Sequence, residues 1–85
     1  MNDAYEVTET LDVKGLSCPM PIVKTKQAID PLAAGDVLEV VSTDSGSMSD
    51  LKGWAEGTDG VDLLKQVEAT EDGGAVYKHY VEKTA

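Results

Sequence analysis

The chain of 85 residues contains no arginine, one cysteine and one histidine. Without arginine it lacks the planar guanidinium fork that grips phosphate and carboxylate groups through two hydrogen bonds at once. Positive charge is scarce altogether: seven lysines stand against 16 Asp and Glu residues, a formal net charge of −9. Stable binding to nucleic acid needs a basic footprint that displaces counterions, so no direct nucleic-acid binding is expected. The acidic balance instead favours a protein partner with a basic docking face, and it also serves plain solubility or a high-salt surrounding. One cysteine can close no intramolecular disulfide and build no cysteine-rich cage, so neither a metal nor a cofactor is expected. A lone exposed thiol fits a reducing, cytoplasmic setting. No apolar run is long enough to span a membrane, and the N-terminus has no signal-peptide pattern. A Gly-rich phosphate loop, a Ser-His-Asp set, internal repeats and low-complexity segments are all missing. The single histidine, His79, sits in a strand pattern with no acidic or cysteine partner at metal spacing. That favours a packed or surface histidine over a catalytic one.

What the chain does have is a dense motif at Gly15-Leu16-Ser17-Cys18-Pro19-Met20-Pro21. A strand pattern ends before it and a helical pattern starts after it. Proline suits the first turn of a helix, where its missing N–H has no partner to lose and its φ is already near helical. Pro19 and Pro21 therefore place Cys18 at or beside a helix N-cap. The unpaired N–H groups and the positive end of the macrodipole at that position favour thiolate over thiol. Such cysteines have pKa values lowered from about 8.5 to roughly 3.5–7.5, and two prolines that remove donors point to a partial shift. A buried free cysteine is ordinarily a small hydrophobe. That bland reading gives no reason for a proline-started helix behind the thiol.

Eighty-five residues make one domain, 1–85, with a small core and a loose N-terminus at residues 1–5. Residues 6–13 alternate, with Val7, Leu11 and Val13 in one register, as a half-buried strand does. Residues 19–29 form a helix whose stripe is Ile22, Thr25, Ile29 and Leu32, with Lys24 and Gln27 outside and Lys26 at its edge. Lys24 and Lys26 are read as the cations close in sequence to Cys18 that could assist a thiolate or a persulfide, each more simply a solvated lysine. Residues 37–42 are apolar on nearly both faces, the mark of an interior strand. Strand, helix, strand in this order implies a parallel crossover, with Cys18 and the loop at 43–46 at one edge. In that loop Asp44, Ser45 and Gly46 are possible site residues, against a plain capping loop with Ser47 as N-cap and Asp50 reaching back. A second helix spans residues 48–56, a third strand 61–70 with a blur at Leu63-Leu64, and a last strand 75–83 after a hairpin turn at Glu71-Asp72-Gly73-Gly74. The order β-α-β-α-β-β gives an α+β two-layer sandwich: a four-stranded mixed sheet with two helices on one face. The other face is expected to be partly hydrophilic, through Glu39, Lys65, Lys78 and Glu82.

Leu11-Asp12-Val13 followed by Gly15-Leu16-Ser17-Cys18-Pro19-Met20-Pro21 closely resembles the signature of the TusA/SirA/YedF family of small sulfur-carrier proteins, whose hallmark is Cys-Pro-x-Pro after Gly-Leu. The resemblance runs from about residue 10 to residue 83. It takes in the Gly35-Asp36 turn, the loop at 43–47 and the closing strand with its final lysine. It implies the same sandwich fold, and a sulfurtransferase or sulfur-carrier activity through a persulfide on Cys18. Gly15, Pro19 and Pro21 would shape the site. A donor such as a cysteine desulfurase or a rhodanese-like protein would load the thiol, and a downstream acceptor protein would unload it. The implied destinations are tRNA thiolation, molybdenum cofactor synthesis or sulfur metabolism. The alternative is a non-catalytic interaction or regulatory module that docks through its acidic surface.

Overall fold

The computed structural model describes residues 7–17, 20–71 and 73–84. Cys18 and Pro19 lie outside the described residues, as do residues 1–6, where the loose terminus and the first residue of the expected strand fall. The elements follow in the order β1 (Glu9–Asp12), α1 (Met20–Ile29), β2 (Val37–Ser42), α2 (Ser47–Glu56), β3 (Val61–Glu71) and β4 (Gly74–Lys83). They build one four-stranded sheet of order β1-β2-β4-β3. β1 runs parallel to β2, and β4 is antiparallel to both β2 and β3, so the sheet is mixed as expected.

Alternation along the strands divides the sheet into two faces. Leu38, Val40, His79 and Val81 point to one side, and the helices cover it. Ile29 of α1 and Leu51 of α2 join Val13, Leu38, Val40 and Val81 in the buried core. α1 buries Pro21, Thr25 and Ile29; Thr25 and Ile29 belong to the expected stripe, and its other members, Ile22 and Leu32, are half-buried and pack against the core. The buried Thr25 hydroxyl is satisfied within the helix, donating to the Pro21 carbonyl at 2.7 Å. α2 buries Ser47, Leu51 and Ala55, with Trp54 half-buried beside them. Val7, assigned by its register to the core side, is exposed instead. β1 is short, and its ladder is extended at one end by Thr8, whose N–H donates to Val37 O at 2.8 Å.

The other face is held by polar contacts among strands. Glu39 accepts from Thr10 Oγ1 at 3.1 Å and from the Tyr80 hydroxyl at 2.8 Å. Lys78 pairs with Glu71 at 3.2 Å, and Lys14 approaches the same Glu71 at 3.9 Å. The blur at Leu63-Leu64 is a bulge: the β3–β4 register shifts between Leu63 and Lys65, leaving Leu64 as the extra residue. The β3–β4 hairpin closes with Glu71 opposite Gly74 and with Gly73 at φ +79°. A positive φ there is what a tight two-residue hairpin turn requires.

Candidate functional site: the loops at the ends of β1 and β2

β1 and β2 are parallel, so the segments that follow them emerge at the same edge of the sheet. Val13 N–H donates to Val41 O at 2.8 Å, carrying the pairing just past β1. Val13-Lys14-Gly15-Leu16 is then a β-turn, closed by Leu16 N–H on Val13 O at 3.1 Å. Gly15 is its third residue at φ +84°, the conformation a type II turn demands of that position. The Lys14 N–H donates to Asp12 Oδ1 and the Gly15 N–H to Thr43 Oγ1, each at 2.9 Å. Leu16 packs against the core, anchoring the chain two residues before the cysteine. On the far side Met20 N–H donates to Ser17 O at 2.9 Å, and Pro21 is buried at the start of α1. Met20 and Val23 are exposed at 39% and 38%, large apolar side chains left open beside the motif.

The candidate loop after β2 is ordered by its own side chains. Ser42 Oγ accepts the Asp44 N–H, and Asp44 Oδ1 accepts the Gly46 N–H, both at 3.0 Å. Asp44 O accepts the Ser47 N–H at 2.9 Å. Asp44 therefore orders the turn that leads into α2: its side-chain oxygen receives an N–H two residues on, as in an Asx turn. This corrects the expectation of Ser47 as N-cap with Asp50 reaching back. Ser47 is inside α2, the residue before it is Gly46 in helical conformation, and Gly46 has no side chain with which to cap. Ser45 lies exposed in the same loop.

The Ser47 hydroxyl is engaged elsewhere. Ser47 Oγ lies 3.0 Å from His79 Nε2, and both residues are buried. On the other side of the ring, Gln66 Nε2 lies 3.0 Å from His79 Nδ1 and 2.7 Å from the carbonyl of Met48. A carbonyl only accepts, so the Gln66 atom is the amide nitrogen and it donates to both. His79 Nδ1 is then an acceptor, and the proton of the neutral ring sits on Nε2, where it donates to Ser47. A serine facing an Nε2–H is not activated as a nucleophile, because the ring has no lone pair there to take its proton. Burial also pushes the His79 pKa down to about 4. The histidine is a packed structural group that joins β4, β3 and the start of α2.

Lys24 and Lys26 both project from α1 into solvent. Lys26 lines an open groove of about 750 Å³ between α1 and α2, with Ile22, Val23, Gln27 and Trp54. No Asp or Glu occurs between Asp12 and Asp30, while Lys14, Lys24 and Lys26 do. The segment carrying the cysteine is thus basic and partly apolar within an acidic protein. Among the described residues no group of His, Cys, Asp and Glu side chains gathers as a metal site, and no helix is long and apolar enough to cross a membrane.

A two-layer mixed sheet with a cysteine segment leading into its first helix defines a small SirA-like fold. A solved SirA-like protein from Desulfitobacterium hafniense superposes with a TM-score of 0.64 at 28% identity, covering 86% of this chain and 95% of that one. The family model described as sulfurtransferase TusA matches residues 9–83, and the chain belongs to that family of sulfur carriers. A protein of Halobacterium salinarum, whose name assigns it provisionally to the sulfur carriers, is 66% identical over 84 residues, 99% of each chain. The sulfur carrier protein TusA of Allochromatium vinosum is 39% identical over 66 residues, covering 78% of this chain and 82% of its own.

Proposed function

We propose that the chain acts as a single carrier domain that accepts sulfane sulfur on Cys18 and hands it to an acceptor protein. The thiolate of Cys18 attacks the outer sulfur of a donor persulfide. The donor S–S bond breaks, a Cys18 S–S bond forms, and the donor leaves as a thiolate that takes up the proton. Release to an acceptor thiolate repeats the exchange in reverse. With one cysteine the protein cannot expel the sulfur by forming its own disulfide, so a partner thiol or a reductant must do so.

The observation that carries this reading is the placement of the motif. Gly15 turns the chain at the end of a parallel strand, Leu16 anchors it in the core, and Pro21 starts a buried helix face. The residues on both sides of Cys18 and Pro19 are thus held in place. Pro19 and Pro21 would fix the thiol at the helix start, and Asp44, Ser45 and Gly46 would border it from the neighbouring loop. A cysteine desulfurase or a rhodanese-like protein suits the donor role. The destination would be tRNA thiolation, molybdenum cofactor synthesis or sulfur metabolism, in the cytoplasm. The reading as a docking module with an idle thiol rests on the acidic surface.

Intact mass after exposure to a persulfide donor, with and without reductant and beside Cys18→Ser, separates the two. A gain of one sulfur that reductant removes and the variant lacks is expected. No uptake by a thiol that still alkylates would favour the docking module.

A further inference from the structure

We propose that Thr43 is a positioning residue for the sulfur-carrying loop, acting through its hydrogen bond to Gly15. This deepens the carrier reading of Cys18 and rests on it. The third residue of a type II turn has a peptide N–H that the turn itself does not use, since the closing bond belongs to the fourth residue. Here that free donor is Gly15 N–H, and Thr43 Oγ1 receives it at 2.9 Å. Past Val13, whose N–H still reaches Val41 O, the Thr43 side chain carries the connection between the two strands onward into their loops. The cysteine follows Gly15 by three residues.

Thr43 is itself well fixed. It directly follows β2, whose last residue Ser42 is fully buried. Asp44 behind it is held by Ser42 Oγ, and through Asp44 O and Ser47 the loop is connected to the His79 network. The Thr43 side chain thereby refers the turn at Gly15 to the rigid end of the central strand. Thr43 is exposed, so replacing its hydroxyl by a methyl group opens no cavity in the core. The loss should be felt in where the thiol is held, not in whether the chain folds. Nucleophilic transfer depends steeply on orientation, so a loosened loop slows it.

The test compares wild type, Thr43→Val and Thr43→Ser in single-turnover loading from a small-molecule persulfide. The pH profile of iodoacetamide alkylation is measured beside it. Asp12, Lys14 and Asp44, the ionisable residues at this turn and loop, are retained in every variant. Thr43→Val is expected to load about two- to tenfold more slowly, the range that one neutral hydrogen bond spans. Its alkylation pH profile should also differ from wild type, because the segment leading from Gly15 to Cys18 is no longer tied to Thr43. Thr43→Ser should restore both, and the unfolding midpoints should agree. Wild-type behaviour from Thr43→Val in both assays, or failure of Thr43→Ser to restore them, overturns the proposal. If wild type takes up no sulfur, it is the carrier reading that fails, and the alkylation profiles alone decide the role of Thr43.

Discussion

His79 Nε2 lies 3.0 Å from Ser47 Oγ, and neither residue reaches solvent by more than 1%. The ring is held neutral, because the Gln66 amide occupies its other nitrogen as a donor. Burial lowers the folded-state pKa to about 4 from the ordinary 6.5. Between these values the unfolded chain binds the proton and the folded protein does not, so this group makes stability rise with pH. The contribution is complete above pH 6.5 and is lost progressively as pH falls to 4. Its upper size is on the order of 3 kcal/mol. Denaturant midpoints at pH 7 and pH 4.5 should differ, and His79→Gln should flatten that difference. A slope unchanged in the variant would assign it to the carboxylates.

Two glycines in open space should respond to alanine with opposite signs. A Cβ at Gly53 or at Gly15 would meet nothing within 4 Å. Gly53 lies inside α2, where alanine is the better helix former and restricts the unfolded chain, so Gly53→Ala should stabilise by about 0.5–1 kcal/mol. Gly15 sits at φ +84°, which an L side chain adopts only under strain, so Gly15→Ala should cost about 1–2 kcal/mol. Chemical denaturation of both variants checks the pair. A stabilised Gly15→Ala would mean that the turn is not held as described.

Much of this architecture was legible in the chain, because periodicity and punctuation agree along it. The doubly apolar strand at 37–42, the helical stripe after the Cys-Pro-Met-Pro run and the Asp-Gly hairpin are strong local signals, whereas the alternation ending at Val13 misplaced Val7, which is exposed. Even the ambiguity at Leu63-Leu64 had a structural cause, a bulge that breaks alternation. The start of α2 was misjudged because Ser47 is a good N-cap by local rules. A residue 32 positions away, His79, claims its hydroxyl, and no local pattern reports a contact of that range. Thr43 was likewise invisible as a partner of Gly15, since their bond spans 28 positions. The acid-free stretch from 13 to 29 was open to reading, but the net charge concealed it.

Lys83 illustrates a cation whose value depends on what it meets. Its Nζ donates to the carbonyl of Asp30, just past the end of α1. Its own N–H and carbonyl bind Asp36 and Gly35 in the turn into β2. A positive charge at a helix C-terminus is favourable, and here it also fills an orphan carbonyl. Lys83→Met should therefore cost about 1 kcal/mol and raise hydrogen exchange in the last turn of α1. Lys78→Met, which removes an ion pair to the part-exposed Glu71, should stay within about 0.5 kcal/mol. Equal costs for the two variants would count against the capping role.

Charge repulsion makes the last expectation one about salt. Sixteen carboxylates against seven lysines leave the surface self-repelling, and folding concentrates that charge into a smaller volume. Raising ionic strength from 0.1 to 1 M shortens the screening length from about 10 to 3 Å. The unfolding midpoint should therefore rise with potassium chloride, steeply at first and levelling once neighbouring charges are screened from one another. A rise that continues linearly beyond 1 M would instead indicate preferential exclusion or ion binding, since screening saturates. Reversing part of the imbalance distinguishes these causes: Asp62→Lys and Glu68→Lys, at exposed positions on the edge strand β3, should raise the low-salt midpoint and weaken its salt dependence. If the double variant keeps the full salt dependence of the wild type, repulsion between surface carboxylates is not its source.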